Sequence, residues 1–123
     1  MSREFYLRYM AACNAHDFGA LDRFVDPDVH VNDRWQGLEA YVAGLREVVR
    51  EFPDYHWDLR DLFVDGDRIA ARFADTGTHA ASGRPVRTRE FAFYRLGGGL
   101  IREVWVAADH DEIRRQLGPD AGR

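Results

Sequence analysis

The chain contains no lysine: all 17 of its basic residues are arginine. This excludes Schiff-base chemistry, a lysine general base and the lysine of a phosphate-binding loop. Serine occurs only at Ser2 and Ser82, which leaves little material for a Ser-His-Asp triad. A single cysteine, Cys13, rules out an internal disulfide and a thiolate zinc site. No stretch approaches the ~20 apolar residues of a membrane span. The first ten residues, MSREFYLRYM, hold no apolar signal core, so the cytoplasm is the expected compartment. Cationic surface is scarce as well. With a net charge of -4, neither nucleic acid nor an anionic membrane is an expected partner.

What is present is an ordinary globular composition, 46% apolar and 31% charged over 123 residues. That suits one domain, residues 1–118, followed by a loose tail at 119–123. Phe5, Tyr9 and Cys13 recur at i+4 and predict a first helix over Ser2 to Ala15. Phe18 to Val25 reads as a second short helix, Asp26-Pro27-Asp28 as a turn, and Val29 to Trp35 as a strand. Leu38, Tyr41, Val42, Leu45, Val48, Val49 and Phe52 trace one face of a third helix, opened by Gly37 and closed by Pro53. The period then changes to two. Tyr55, Trp57, Leu59 and Phe63 alternate with polar residues, and Asp65-Gly66-Asp67 signals a hairpin. Strands over Arg68–His79, Val86–Leu96 and Leu100–Asp109 follow, then a helical turn to Leu117. Helices first and a meander after predict an α+β domain. Its curved, mostly antiparallel sheet carries the helices on the concave face and encloses a pocket, like a cone.

Asp109 is the leading candidate for chemistry. Strand alternation places it with Ile101, Trp105 and Ala107 on an apolar face, where lost solvation raises a carboxyl pKa toward acid–base use. The competing role is a helix N-cap, and the two are compatible. His79 shares its parity with Ile69, Ala71 and Phe73 and is the second catalytic candidate. Asn14, in the polar knot Asn14-His16-Asp17, is a candidate substrate donor or a helix terminus. Tyr9, Trp35, Phe73 and Trp105 are the aromatic candidates for substrate contact. No His-x-x-x-His pair supports a metal. Cys13 and His16 are spaced as a dyad, but Cys13 lies on the apolar stripe and reads as core. Arg84, Arg87, Arg89 and Arg95 read as a solvated face.

Asn14-Ala15-His16-Asp17, Phe52-Pro53-Asp54-Tyr55-His56, Gly77-Thr78-His79, Glu103-Val104-Trp105 with Asp109, and Gln116-Leu117-Gly118 occur in order over nearly the whole chain. Together they resemble the SnoaL-like polyketide cyclases of the nuclear transport factor 2 superfamily. The resemblance implies a cofactor-independent, metal-free enzyme of bacterial secondary metabolism. Such an enzyme closes a ring on a polyketide-like substrate by an aldol step, with Asp109 as its acid/base. It also implies a homodimer paired through the outer face of the sheet, which would account for apolar Val104 and Val106 opposite Trp105. Two departures stand out. The hairpin after His79 is short, and the penultimate strand reads Glu90-Phe91-Ala92-Phe93, mostly apolar, as a greasier substrate would require. Two other readings remain open: an epoxide hydrolase or epoxide-opening cyclase built on Arg72 with Asp75 or Arg102 with Asp109, and a non-catalytic module that binds a small apolar molecule or dimerises.

Overall fold

The computed structural model describes residues 2–118, so the expected tail at 119–123 lies outside the described residues. Helix α1 spans Ser2–Asn14 and buries Tyr6, Tyr9, Met10 and Cys13, a 3-1-3 spacing that keeps one face inward. It ends in a Schellman motif. His16 takes φ 56°, its N–H donates to the Cys13 carbonyl at 2.9 Å, and the Asp17 N–H reaches back to Ala12 at 3.0 Å. A 3₁₀ turn, Phe18–Arg23, buries Phe18 and Leu21.

The first strand corrects the sequence reading. β1 covers Val25–Val31, straight through the expected turn at Asp26–Asp28. The chain reverses instead at Asn32-Asp33, with φ of 51° and 71°. This two-residue turn, with φ positive at both positions, leads into β2, Arg34–Trp35. Helix α2, Leu38–Glu51, is amphipathic, yet none of its residues is fully buried. Its apolar side faces a hollow rather than the sheet.

Strands β3 (His56–Asp65), β4 (Arg68–Thr78), β5 (Pro85–Gly97) and β6 (Leu100–Ala108) form a meander, and α3 (His110–Leu117) closes the domain. The sheet order is β2-β1-β6-β5-β4-β3. All pairs are antiparallel except β1 with β6. The expected α+β cone is therefore the observed architecture. No described helix is long and apolar enough to cross a membrane.

Two irregularities set which side chains face inward. The β3–β4 register slips between Leu59 and Asp61, and the β5–β6 register slips between Arg95 and Leu96. A bulge adds one residue to one strand, and a one-residue slip sends every later side chain to the other face. Beyond the first bulge Leu62 and Val64 turn toward the core and Phe63 is 70% exposed. Beyond the second, Val104 is buried and Val106 packs against the core. Trp105 moves to the outer surface, where its indole N–H donates to Asp33 at 2.8 Å. The expected inward face of β6 is thus reversed.

Candidate active site

The hollow between α2, α3 and the sheet has two parts that share a wall. The outer chamber is about 1080 Å³ and the inner one about 220 Å³. Trp57, Glu90, Leu45, Val48 and Val106 belong to the walls of both. Exposed Glu47, Glu51, Asp111 and Arg114 stand at the outer wall. Three carboxylates here pair within their own helices: Glu47 with Arg50, Asp111 with Arg114, and Glu112 with Arg115. Such local pairing leaves little net field at the mouth to select a charged ligand.

Two tight fastenings hold the chamber's aromatic wall. Asn14 donates through Nδ2 to the Trp57 carbonyl at 3.0 Å and accepts the Trp57 N–H at 2.8 Å. The His16 ring meets the Tyr55 carbonyl at 2.8 Å. The polar knot that follows α1 therefore positions the start of β3. Gly77 completes the arrangement. A Cβ there would approach Phe52 and Tyr55 to 3.1 Å, so glycine lets both residues pack closely against the end of β4 without displacement.

The central feature is a pair of carboxyl groups. Inward alternation on β4 carries Ile69, Ala71, Phe73 and Asp75, and on β5 Val86, Thr88, Glu90, Ala92 and Tyr94. Phe73 stands opposite Glu90, and Asp75 opposite Thr88, so the two acids are diagonal neighbours on one face. Asp75 is 1% exposed. The Tyr55 hydroxyl donates to its Oδ2 at 2.9 Å. Oδ1 has no hydrogen-bond partner among the described groups, and the acid beside it on the same face is Glu90, so a proton held between the two carboxyls would satisfy it. Two buried carboxylates in contact repel, so the pair retains a proton between them. Burial, followed by the hydrogen bond and the charge of Asp75, pushes Glu90 up to about 9. Burial also raises Asp75, opposed by the hydrogen bonds from Glu90 and Tyr55. The pair therefore holds one proton between Glu90 and Asp75.

Behind this pair the inner chamber is lined by tyrosines. The Tyr9 and Tyr41 hydroxyls lie 2.6 Å apart. The Tyr6 hydroxyl donates to that of Tyr94 at 3.0 Å. Burial raises all four phenols above their ordinary value, so each stays neutral. Among the described residues no cluster of three or more His, Cys, Asp or Glu side chains is arranged to hold a metal ion.

Of the residues singled out from sequence, Tyr9 and Phe73 line the inner chamber. The others serve elsewhere. Asp109 is exposed and caps α3, its Oδ1 accepting the Glu112 N–H at 3.0 Å. The apolar surroundings expected for it are absent because the β6 bulge turns the preceding residues over. His79 is buried as its parity required, but its Nδ1 meets the Ser82 hydroxyl at 2.8 Å and its ring packs on Phe52. It ties the β4–β5 turn and does not line the cavity. Asn14 spends its amide on Trp57. Trp35 is 63% exposed and donates to Asp28. Trp105 lies on the outer face against Phe93. Among the described residues no arginine pairs with Asp75 or Glu90. Arg72 pairs with Asp61 at 2.6 Å and Arg102 with Asp26 at 3.8 Å, which removes the geometry an Asp-Arg-Asp epoxide site requires.

Sequence reasoning missed Glu90, Asp75 as its partner, and Tyr41. The signal was available in β5, where Glu90 alternates with Thr88 and Tyr94. The two phenylalanines on the opposite face, 56% and 41% exposed, made that face look like the inner one.

The model of the SnoaL-like polyketide cyclase family matches residues 3–117. A SnoaL-like polyketide cyclase from Agrobacterium tumefaciens is 33% identical, with 94% of this chain and 97% of that one covered and a TM-score of 0.85. TsrD from Streptomyces laurentii is 26% identical over 95% of this chain and 94% of its own, with a TM-score of 0.86. IdmH from Streptomyces antibioticus shares the fold at 22% identity and a TM-score of 0.86, covering 95% and 98%. No curated protein matches the chain. With the family model spanning almost every described residue, the chain belongs to the SnoaL-like polyketide cyclase family.

Proposed function

We propose that the protein closes a ring on an uncharged, polyketide-like chain by an intramolecular aldol step, with Glu90 as the catalytic acid/base and Asp75 as its proton partner. The observation that carries this reading is a pair of neighbouring inward carboxyl groups on β4 and β5 of which only Glu90 lines the cavity. Glu90 accepts the acidic proton from a carbon beside a carbonyl while its own proton passes to Asp75. The C–H bond breaks, and its electron pair moves into the enolate. The enolate carbon then attacks the second carbonyl carbon and forms the C–C bond. The new alkoxide takes a proton from Glu90, which recovers one from Asp75. The net change is one C–C bond made and one proton moved from carbon to oxygen, without a redox partner. Folding the chain inside the apolar hollow supplies most of the effect, up to about 7–11 kcal/mol. Proton transfer adds about 10²–10⁴-fold.

The first half-step is testable without the natural substrate. In deuterium oxide, wild-type protein is expected to exchange the C2 protons of 1-tetralone at least about 10²-fold faster than Glu90→Gln, with signals followed by NMR. Equal rates in the two proteins would end this assignment.

The outer face favours self-association. Phe63, Ala70, Phe93 and Trp105 lie in register across four strands, with Phe91 and Ala107 in the adjacent row. We propose that a second copy covers this apolar stripe. Light scattering would then give twice the 14.2 kDa chain mass, and Phe91→Asp should halve it. A monomeric wild-type protein refutes the pairing.

A further inference from the structure

The inner chamber has a chemistry of its own. Its polar wall groups are Tyr9, Tyr41, Tyr94, Gln36, Cys13 and Glu90, and none carries a positive charge. Counting hydroxyl protons shows what it lacks. Tyr6 is fully buried, does not line the chamber, and has Tyr94 as its one described partner. If Tyr94 donated to Tyr6, the Tyr6 proton would be stranded in the core, at a cost of about 1–3 kcal/mol. Tyr6 therefore donates, and the Tyr94 proton is left for the chamber. Tyr9 and Tyr41 have two protons and one mutual bond. Neither hydroxyl has a further hydrogen-bond partner among the described residues. A second proton is thus directed at the same space from the Tyr9–Tyr41 pair.

The volume limits what can accept them. At about 220 Å³ the chamber is somewhat larger than a cavity of about 150 Å³ that holds benzene. One six-membered ring fits, and Glu90 stands in the wall that this chamber shares with the outer one.

We propose that the inner chamber is a subsite for a ring that bears a hydrogen-bond-accepting oxygen, a ketone or quinone carbonyl, gripped by Tyr94 and by the Tyr9–Tyr41 pair through Tyr41. This rests on the cyclase reading only in taking the cavity as the substrate site. It deepens that reading by naming which end of the substrate enters first. The donors remain neutral across the physiological range, because burial raises their pKa values. They therefore grip a carbonyl and strengthen their hold as negative charge develops on its oxygen.

The probes are 1-tetralone, whose carbonyl can only accept, and tetralin, which has the same rings without the oxygen. Affinities are read by quenching of Trp57, a wall residue, in wild type, Tyr94→Phe, Tyr41→Phe and Glu90→Gln. Wild type should bind tetralone about threefold to tenfold more tightly than tetralin. Each phenylalanine variant should lose most of that ratio while holding tetralin unchanged, and the carbonyl stretch of bound tetralone should move back toward its free frequency. Equal affinities for the two probes in wild type overturn the subsite. So does a ratio that survives both phenylalanine substitutions. A ratio lost only in Glu90→Gln likewise overturns it by assigning the oxygen to Glu90. Binding and C2 exchange fail separately. A preserved ratio without exchange removes the cyclase step and keeps the subsite, and exchange without the ratio does the reverse.

Discussion

Replacing Glu90 with glutamine should stabilise the protein as pH rises while abolishing proton transfer. The ordinary carboxyl value of 4.5 becomes about 9 in the folded chain, because burial and contact with Asp75 oppose its charge. The unfolded chain ionises Glu90 near pH 4.5, whereas the folded chain holds the proton until about pH 9. The stability associated with that proton is complete below pH 4.5 and is lost as pH climbs toward 9. At pH 7 the difference amounts to about 3 kcal/mol. Contact with cavity water, which screens a partly exposed group, lowers the expected figure to about 1–3 kcal/mol. Glutamine carries no charge in either state, and its amide N–H can still donate to Asp75. Urea unfolding of both proteins at pH 5, 6, 7 and 8 checks this. The variant should gain on wild type at each step upward and lead by about 1–3 kcal/mol at pH 7. If the two curves run parallel within about 0.5 kcal/mol across that range, Glu90 does not hold its proton and the carboxyl pair is not the acid/base.

Tyr55→Phe should cost about 1–3 kcal/mol, since the buried Oδ2 of Asp75 loses its donor. The alkaline limb of the exchange rate against pH should also move, because losing that donor makes a charge on the pair harder to bear; an unmoved limb would separate Tyr55 from the proton chemistry. Asp109→Asn retains a good cap and should leave both stability and exchange within experimental scatter, whereas Asp109→Ala should cost about 1 kcal/mol in thermal or urea unfolding without slowing exchange. A loss of exchange in a folded Asp109→Asn would return that residue to the mechanism. Phe73→Ala should cost about 3–5 kcal/mol, because the ring is 1% exposed between the core and the inner chamber.

The architecture was readable because its signals were large and local. The apolar faces of α1 and α2, the hairpin at Asp65-Gly66-Asp67 and the ordered motifs from Asn14 to Gly118 left few other topologies. Register was much less readable. Val104, Trp105 and Val106 are all apolar, so alternation could not tell the inner face from the outer, and the bulge that decides the matter leaves no mark in residue type. The same ambiguity hid Glu90 at the head of the apolar run Phe91-Ala92-Phe93. Asn14 and His16 were recognised as a polar knot, but their partners are backbone carbonyls of β3 more than 35 residues away. Those contacts are products of the fold, and no spacing rule within α1 reveals them.

The two helices on the concave side divide the work, and that division explains why a costly buried acid persists. Between the first turns of α1, the 3₁₀ turn and β1 the interior is closely packed, with Tyr6, Leu21, Val25 and Val29 at 0% exposure. Burial of each large side chain there contributes about 1.5–3 kcal/mol. Under α2 no side chain is fully buried, and the space that tighter packing would fill is the cavity. Stability is concentrated on the first side, so the second can hold an unfilled volume and a carboxyl pair that a minimum-energy core would exclude. Asn14 and His16 sit at the seam between them. They carry the rigidity of α1 into Tyr55 and Trp57, and Tyr55 in turn fixes the oxygen of Asp75 against which Glu90 leans. The position of the acid facing the cavity is therefore set by the packed half of the molecule, through hydrogen bonds of 2.8–3.0 Å, while the open half provides room for the ligand.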